Sequence, residues 1–498
     1  MVAVVEVDMQ ADNMGLDPLP DIDFNIRCGN TLVGYATEEE LQKDLVFGDM
    51  FARQEFEDKV NTQMEIVATA FNRFKDVQFR QFENMVAFKE AKGELKKRLT
   101  TLNELLNKHM FTKIAYSSKY EDWLKSHQPF HWLAEFYEII HDNGGFDVII
   151  GNPPYVEYTK KNKETKKSVS DIYEINGYES KNCNNLYAYT IERCKRICTV
   201  CSQCGFIIPI SSVSNPKFVP ILKIMNEKSE NWYSCYSNRP AKLFDNVEQR
   251  LTIYISKNVI NDNSQYFSTN YNHWYVEERP ILFYKLAYFE NKIWDKTLSL
   301  FKIGSNLQDM ICQKIYNESN GLLNKTMGKF ISGSHFCFFH NAPTYYIRAM
   351  SFKPNNGKEM KESSHYKNIR CDRKTMDIMS CILNSSVFYW FFKNVSNCRD
   401  FSLREISAFP IGDISKLPLA DIGNKLKNSY KSNRVIKSRI YPSGKVFYEE
   451  YYPVKSKPII DEIDKVLAKH YGFTEEELDF IINYDIKYRM GDELNEEE

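Results

Sequence analysis

The chain has 498 residues, 43% of them apolar and 14% aromatic, which is long enough for several domains with cores of their own. No run of about 18 apolar residues marks a membrane span, and Met1 does not open a signal peptide, so the sequence predicts a cytoplasmic protein. The formal charge of -1 hides an uneven distribution. Residues 351–460 carry 20 Lys and Arg against 10 Asp and Glu, whereas residues 461–498 carry 4 against 13. The basic segment suits contacts with nucleic-acid phosphates; a solvated charged surface is the alternative.

The first strongly patterned part of the chain is residues 51–126. Apolar residues recur there at spacings of three and four, which indicates amphipathic helices. They are Met64, Val67, Phe71 and Phe74, then Phe79, Phe82 and Val86, then Leu95, Leu99, Leu102 and Leu105. We predict a helical hairpin whose apolar stripes pack in a core. Lys96, Lys97 and Arg98 interrupt the last stripe and are candidates for a contact with nucleic acid.

The most informative stretch is residues 146–155, a short strand pattern that runs into an Asn-Pro-Pro-Tyr turn. Residues 148–150 are a β-branched run of buried-strand length, and a glycine with two prolines ends it abruptly. Tyr155 then follows the carboxyl end of a strand, where open α/β sheets bind ligands. Asn152 and the Pro153 carbonyl can accept both hydrogens of an exocyclic amine, while the tyrosine ring can stack on a flipped base. A proline turn with an exposed tyrosine and no chemistry is the alternative.

The rest of the chain falls into two patterns. Residues 131–260 alternate strands with helices, which predicts the remaining half of a doubly wound α/β sheet. Beyond residue 260 this alternation ends, and the aromatic segments 343–348 and 384–392 are assigned to packing rather than base stacking. Candidate nucleic-acid contacts nearby are Arg399, Arg404 and Lys393, since cationic side chains bind phosphates and Arg also bridges guanine edges.

Two short helices are predicted near the carboxyl terminus, on the segments 456–464 and 471–478. Gly472 should help to end the first helix. Thr474 and Glu477 have the spacing of a capping box, which should begin the second.

Twelve cysteines without secretory features indicate reduced thiols. Four of them are spaced densely enough to raise zinc or iron-sulfur ligation as a hypothesis: Cys194, Cys198, Cys201 and Cys204. We predict no metal site, because a helix followed by a turn need not bring the four sulfur atoms together.

Residues 146–155 resemble motif IV of the amino-group DNA methyltransferases. Nearly the whole chain resembles the adenine-specific methylase region of type IIG restriction-modification enzymes, the Eco57I-like family. Five further segments match that family in order: residues 21–34 (motif III), 130–136 (the approach to the catalytic strand), 185–189 (the segment after motif IV), 205–209 (motif VI) and 243–250 (motif VIII). The resemblance implies a Rossmann-like class I methyltransferase sheet, with an α+β target-recognition domain after it.

The resemblance also implies roles for particular residues. Asn152, Pro153, Pro154 and Tyr155 would form the catalytic turn, and Phe244 would stack on the other face of the flipped base. Asn30, placed at the end of a strand, would lie near the adenine of the cofactor S-adenosylmethionine, with Asn152 also at the cofactor. The implied reaction is site-specific methylation of the adenine N6 amine in double-stranded DNA.

The implied domains follow the chain. Residues 1–50 would end the cofactor-binding half, 51–126 would be the helical insertion, 127–260 the catalytic half, 261–460 the target-recognition domain and 461–498 an acidic helical tail.

One expected motif is missing. The family holds its cofactor on a glycine-rich motif I turn, and the twenty residues before Asp21 are too few for that βα unit. We therefore expect an amino-terminally incomplete sheet with an exposed edge. We also find no nuclease domain. Three alternatives stay open: a catalytically incomplete DNA-binding specificity subunit, half of a split methyltransferase completed by a separate chain with motif I, and methylation of RNA or protein through the same turn.

Overall fold

The computed structural model describes residues 9–10, 23–45, 50–78, 84–113, 119–260, 263–291, 299–318, 333–355, 360, 362–442 and 444–491. The predicted features on Asp21, Ile22, Phe79, Phe82 and residues 492–498 lie outside these ranges. The chain divides into two compact units. The first unit comprises residues up to 149 and 156–202, and the second comprises 150–155 and 203 onwards. The division falls within the strands Phe146–Gly151 and Cys198–Pro209.

The first unit is mainly helical. Its helices are α1 (Glu38–Leu45), α2 (Met50–Gln78), α3 (Met85–Lys113), α4 (Tyr120–His127), α5 (Trp132–Glu135) and α6 (Leu186–Arg196). The two long helices α2 and α3 occupy the region where the sequence predicts a helical hairpin, and they pack against each other. The stripe residues Met64, Val67, Phe74, Leu95, Leu99 and Leu102 are buried in one apolar cluster, with Phe71 and Leu105 partly buried beside it. These residues therefore pack as predicted, whereas Val86 of the second stripe is 68% exposed and does not.

His131 is a buried polar anchor of the first unit. Its Nδ1 accepts a hydrogen bond from the Tyr35 backbone N–H at 3.1 Å. Its Nε2 lies 2.9 Å from Asn107 Oδ1, so the neutral ring must carry its proton on Nε2. Burial lowers the pKa of His131 to about 3, because a charged imidazole would lose its hydration there.

Acidification should therefore destabilise the first unit through His131. The folded-state pKa of about 3 lies below the ordinary 6.5, so the unfolded chain binds the proton first as the pH falls. The stabilisation that neutral His131 contributes to the fold is complete above pH 6.5 and is lost towards pH 3. The free energy of unfolding should therefore fall by about 2 kcal/mol by pH 5. His131→Asn keeps an acceptor and cannot titrate in this range. Its melting temperature should be lower at pH 7.5 but should fall less on transfer to pH 5 than that of the wild type; equal decreases would contradict this role.

Among the residues that the structure describes, six strands form the central sheet: β1 (Phe146–Gly151), β2 (Cys198–Pro209), β3 (Ser229–Tyr236), β4 (Leu251–Asn258), β5 (Gln265–Asn272) and β6 (Phe289–Glu290). Their order is β1-β2-β4-β3-β5-β6. Strand β4 runs antiparallel to both β2 and β3, whereas β3 and β5 are parallel. The predicted α/β class is confirmed, but the sheet is mixed, because the loop 237–250 returns the chain from β3 to its antiparallel neighbour β4.

One face of this sheet is closed by aromatic pairs that follow the strand register. Tyr254 on β4 lies opposite Phe206 on β2 and opposite Tyr233 on β3. The ring centroids of Tyr233 and Tyr254 are 5.1 Å apart, and all three side chains are buried. Such cross-strand pairs fix the register, since a shift of one residue would turn these rings to the opposite face.

Strand β1 corrects a prediction. It lies at an edge of the sheet, and Val148 and Ile150 are 56% and 82% exposed. The prediction of a buried strand is therefore wrong for these side chains. A β-branched run has the same composition at an edge as in the middle of a sheet, so periodicity alone cannot separate the two positions.

The remainder of the second unit contains helices and two small sheets. The helices are α7 (Ser211–Ser214), α8 (Val219–Asn226), α9 (Asn306–Glu318), α10 (Arg373–Asn384), α11 (Ser386–Val395), α12 (Leu403–Ala408), α13 (Ala420–Ser432), α14 (Lys457–Tyr471), α15 (Glu475–Asn483) and α16 (Ile486–Met490). The strands are β7 (His335–His340), β8 (Ala349–Met350), β9 (Tyr366–Cys371), β10 (Val435–Tyr441) and β11 (Gly444–Glu450). The aromatic residues of α11 are buried in a large apolar cluster, so the assignment of this segment to packing is confirmed.

The first predicted carboxyl-terminal helix ends and the second begins where the sequence predicts, but the second continues to Asn483. Gly472 adopts a left-handed φ of 67° directly after α14, a conformation that costs glycine little. Thr474 caps α15 in a complete capping box with Glu477. In the part of the chain that the structure describes, no helix combines the length and apolarity needed to cross a membrane.

Candidate functional site

The Asn-Pro-Pro-Tyr turn begins directly after β1, in the second unit. The Asn152 side chain is exposed, Pro153 is buried and Tyr155 is half-buried. The Tyr155 hydroxyl lies 2.7 Å from Asn152 Oδ1 and 2.8 Å from the Ile207 carbonyl oxygen on β2. Its single proton is thus shared between two acceptors, one in the turn and one in the neighbouring strand. These contacts fix the tyrosine ring and the asparagine amide relative to each other.

The chemical state of Tyr155 follows from its surroundings. Burial raises the pKa of Tyr155 to about 12, because the phenolate would lose its hydration. The hydroxyl therefore stays protonated at neutral pH and serves as a hydrogen-bond donor rather than as a base. What the side chain offers a ligand is its ring, held in one orientation.

The structure brings Phe244 to the same apolar cluster as Tyr155. This cluster is built from buried side chains of β3, β4, the loop between them and the segment after β5, and Tyr155 and Phe244 both pack against it. Phe244 lies in the loop 237–250, where Arg279 donates to the carbonyl oxygens of Lys242 and Leu243 at 3.3 and 2.7 Å. Arg279 therefore fixes the loop at the two residues before Phe244, and Phe244 itself is partly exposed.

The segment after β5 supports this cluster, and sequence reasoning missed it. Trp274 is 1% exposed and belongs to the cluster. The segment is held by α16, because the Tyr488 hydroxyl donates to the His273 carbonyl oxygen at 2.8 Å and Lys487 Nζ pairs with Glu278 Oε1 at 3.0 Å. An isolated tryptophan was the only signal in the sequence, and the contacts from α16 lie more than 200 positions away along the chain.

Asn30 belongs to the first unit. It forms an isolated bridge with Pro129 rather than ending a strand, which corrects the sequence prediction. Its Oδ1 accepts from the Leu32 N–H at 3.2 Å, and its side chain also bonds with Tyr173. The turn depends on Gly34, whose φ is 127° and where an added Cβ would lie 2.2 Å from the Phe130 carbonyl oxygen. Asn30 is thus held by its own loop and is half-buried.

The three cations predicted to contact DNA lie in different environments. Arg399 is on the surface, with a side chain that is 70% exposed. Arg404 is less available, because its Nε donates to the buried Glu405 carboxylate at 2.8 Å. Lys393 is 1% exposed; its Nζ donates to the Thr344 carbonyl oxygen at 2.9 Å, and burial lowers its pKa to about 8. A lysine enclosed in this way cannot reach a phosphate, so the sequence prediction for Lys393 is corrected.

The four spaced cysteines lie at the end of α6 and along β2. Cys194 is buried, and burial raises the pKa of its thiol to about 12, which opposes thiolate formation. Cys201 is exposed, whereas Cys204 is buried. Among the described residues, no group of three or more His, Cys, Asp or Glu side chains is arranged to hold a metal ion.

Residues 52–234 match the profile of a family described as the Eco57I restriction-modification methylase. This match includes the Asn-Pro-Pro-Tyr turn. A putative type II restriction enzyme and methyltransferase of Methanocaldococcus jannaschii is 26% identical to this chain over 194 residues, a match that covers 31% of this chain and 16% of the relative. The chain thus spans about a sixth of the length of this relative.

Solved structures of restriction-modification enzymes are also similar. The type IIL enzyme MmeI in complex with DNA aligns with a TM-score of 0.38 and 12% identity, over 67% of this chain and 56% of that chain. The type ISP enzyme LlaGI with a DNA substrate mimic aligns with a TM-score of 0.36 and 9% identity, over 73% and 51%. The type IIG restriction endonuclease BpuSI aligns with a TM-score of 0.24 and 10% identity, over 68% and 54%.

Proposed function

We propose that this chain is the methyltransferase part of a type IIG restriction-modification enzyme, and that it methylates the N6 amine of an adenine flipped out of duplex DNA. The observation that carries the proposal is the arrangement of Asn152, Tyr155 and Phe244. The exposed Asn152 amide lies beside the Tyr155 ring, whose orientation is fixed. The Phe244 ring packs on the same apolar cluster as Tyr155. The turn lies within the match to the Eco57I methylase family, whose relative in M. jannaschii is described as a methyltransferase.

The proposed chemistry depends on hydrogen-bond acceptors. The adenine amine is a poor nucleophile because its lone pair is delocalised into the ring. Asn152 Oδ1 already accepts from Tyr155, but an amide oxygen has two lone pairs and can accept one amine hydrogen as well. The Pro153 carbonyl would accept the other. Both bonds favour the pyramidal amine, and Tyr155 and Phe244 would hold the base between them, so that positioning and electrostatics supply most of the acceleration.

The described residues fit the cofactor only in part. S-adenosylmethionine supplies an electrophilic methyl group when it is bound. Asn152 is exposed and can serve a ligand, whereas the Asn30 amide is engaged by Leu32 and Tyr173.

The second candidate function requires another chain. This chain would then be half of a split methyltransferase, or a specificity subunit without catalysis. The observation that favours it is the exposed edge strand β1, with Val148 and Ile150 largely open to solvent. An apolar edge of this kind is a site for pairing with another strand.

Calorimetric titration with S-adenosylmethionine, with and without a short adenine-containing duplex, separates these candidates. Micromolar binding by this chain alone supports the methyltransferase. Duplex binding without cofactor binding supports the second candidate, and a gain of cofactor binding with a partner chain that carries a glycine-rich turn identifies the split form. Binding of neither ligand contradicts both.

The surface position of Arg399 leads to a prediction about DNA affinity. Arg399→Ala should weaken duplex binding a few-fold and reduce the slope of log affinity against log salt by about one, because one phosphate contact is lost. Lys393→Met is the matched comparison, since this lysine is buried. It should lower the melting temperature and leave the salt slope unchanged. A reduced slope in the Lys393 variant, or an unchanged slope in the Arg399 variant, would reverse the assignment of the two cations.

A further inference from the structure

A cavity of about 290 Å³ lies between the loop 237–250 and the segment after β5. Trp274 and Asn238 line it, together with the charged side chains of Lys242, Asp245, Glu248 and Arg279. No residue of the Asn-Pro-Pro-Tyr turn lines this cavity. Its volume is near the lower limit of small-ligand pockets.

Two polar atoms of the cavity's lining residues have no hydrogen-bond partner among the described residues. One is Trp274 Nε1, on a side chain that is 1% exposed. The other is Asn238 Oδ1, which is fixed because the Nδ2 group of the same amide donates to the Glu248 carbonyl oxygen at 2.8 Å. Buried polar groups are nearly always paired, so a buried N–H donor and a buried C=O acceptor beside one cavity indicate a ligand that supplies the complementary groups.

The charges around the cavity narrow the class of ligand. Asp245 and Glu248 would repel a simple anion, and Lys242 and Arg279 would repel a simple cation. Glu248 is neutralised by Lys242, with Nζ and Oε1 2.5 Å apart. A neutral, flat group that carries a donor beside an acceptor fits this lining. Nucleobases have such an edge: adenine presents N6–H beside N1 and cytosine N4–H beside N3, while guanine and thymine present a ring N–H beside a carbonyl oxygen.

The position of the cavity points to the DNA substrate. Asp245 follows Phe244 directly in the chain, and Trp274 belongs to the cluster against which Phe244 and Tyr155 pack. One loop would thus offer a stacking ring to the flipped adenine and a carboxylate to a neighbouring base. We propose that this cavity binds a second nucleobase of the substrate, close to the target adenine, through Trp274 Nε1 and Asn238 Oδ1. This proposal rests on the proposed function and adds a second base-binding pocket to it.

Indole N–H signals test the proposal directly. The chain has six tryptophans, and in protein labelled with ¹⁵N-tryptophan the Trp274 signal can be assigned by its loss in Trp274→Phe. Titration with 2′-deoxyadenosine, 2′-deoxycytidine and thymidine should shift the Trp274 signal, whereas 2′-deoxyribose, which has no base, should not. Trp390, whose Nε1 is likewise buried and unpartnered, is the internal control and should not respond. An unmoved Trp274 signal at millimolar nucleoside, or an equal response to 2′-deoxyribose, overturns the proposal.

Two variants separate this pocket from the catalytic turn. Asn238→Ala, at a partly exposed position, should weaken the nucleoside response by about fivefold, the effect of one hydrogen bond. Asn152→Ala should leave the response unchanged. If the protein fails to methylate DNA but its Trp274 signal still responds to nucleosides, the nucleobase pocket stands and the proposed reaction is rejected. Loss of the response in Asn152→Ala would reject the pocket as a separate site.

Discussion

Asn152→Ala should reduce methyl transfer to adenine by about 100-fold or more, which is the usual effect of removing one preorganised hydrogen-bonding group from an active site. The amide of Asn152 is exposed and is held beside the tyrosine ring by the Tyr155 hydroxyl. Without it, the amine keeps one hydrogen unpaired and its lone pair stays delocalised. Duplex affinity should change by no more than a few-fold, because the turn is not expected to contribute phosphate contacts.

The matched control for this variant is Asn424→Ala, on the exposed face of α13. It removes the same amide from a surface position of the same unit and should leave transfer at the wild-type rate. Initial rates of methyl incorporation and duplex binding by fluorescence anisotropy give the two readouts. Retained transfer in Asn152→Ala would refute the assignment of this turn, and a parallel loss of duplex binding would show that Asn152 serves the DNA rather than the reaction.

The ring and the hydroxyl of Tyr155 should contribute separately to the rate of methyl transfer. Tyr155→Ala removes the ring, and stacking of a base on an aromatic side chain is worth about 1–3 kcal/mol, so transfer should fall by about 5- to 150-fold from this loss alone. The hydroxyl bonds to Asn152 and Ile207 are lost as well, which should make the total loss larger. Tyr155→Phe keeps the ring and loses only the hydroxyl, so we expect a decrease of about 3- to 10-fold, which corresponds to one hydrogen bond.

The critical result is which of the two Tyr155 variants transfers methyl groups more slowly. If Tyr155→Phe were as impaired as Tyr155→Ala, the hydroxyl would have a chemical role. The pKa of about 12 makes the hydroxyl a permanent donor at neutral pH, so transfer by the wild type should show no titration of this group below about pH 11. A change in rate near neutral pH that disappears in Tyr155→Phe would contradict this account of the tyrosine.

Local patterns predicted much of the fold. The three- and four-residue spacing of α2 and α3, the capping box at Thr474 and the end of α14 at Gly472 each depend on neighbours within a few positions. The aromatic run of α11 was assigned to the core for a similar reason, because such a run seldom stays exposed. The Asn-Pro-Pro-Tyr turn was identifiable from its motif and from the strand pattern before it. The roles of its residues stay predictions.

Other features depend on distant parts of the chain and could not be predicted. Lys393 looked like a surface cation, but it is enclosed by Thr344, Tyr271 and Tyr389. The exposure of Val148 and Ile150 depends on which strand lies at the edge of the sheet, and composition does not encode that. The segment that carries Trp274 is held by α16 through His273 and Glu278, so the cavity that Trp274 lines has no local signature in the sequence.

The central claim is that this chain methylates the N6 amine of adenine in DNA. The most direct test incubates the protein and its Asn152→Ala variant with unmethylated plasmid DNA and S-adenosylmethionine that carries a trideuterated methyl group. The DNA is then digested and its nucleosides are separated by mass spectrometry. We expect trideuteromethyl-N6-deoxyadenosine from the wild type and a strongly reduced amount from the variant. Label on cytosine, or DNA that stays unlabelled, would contradict the account.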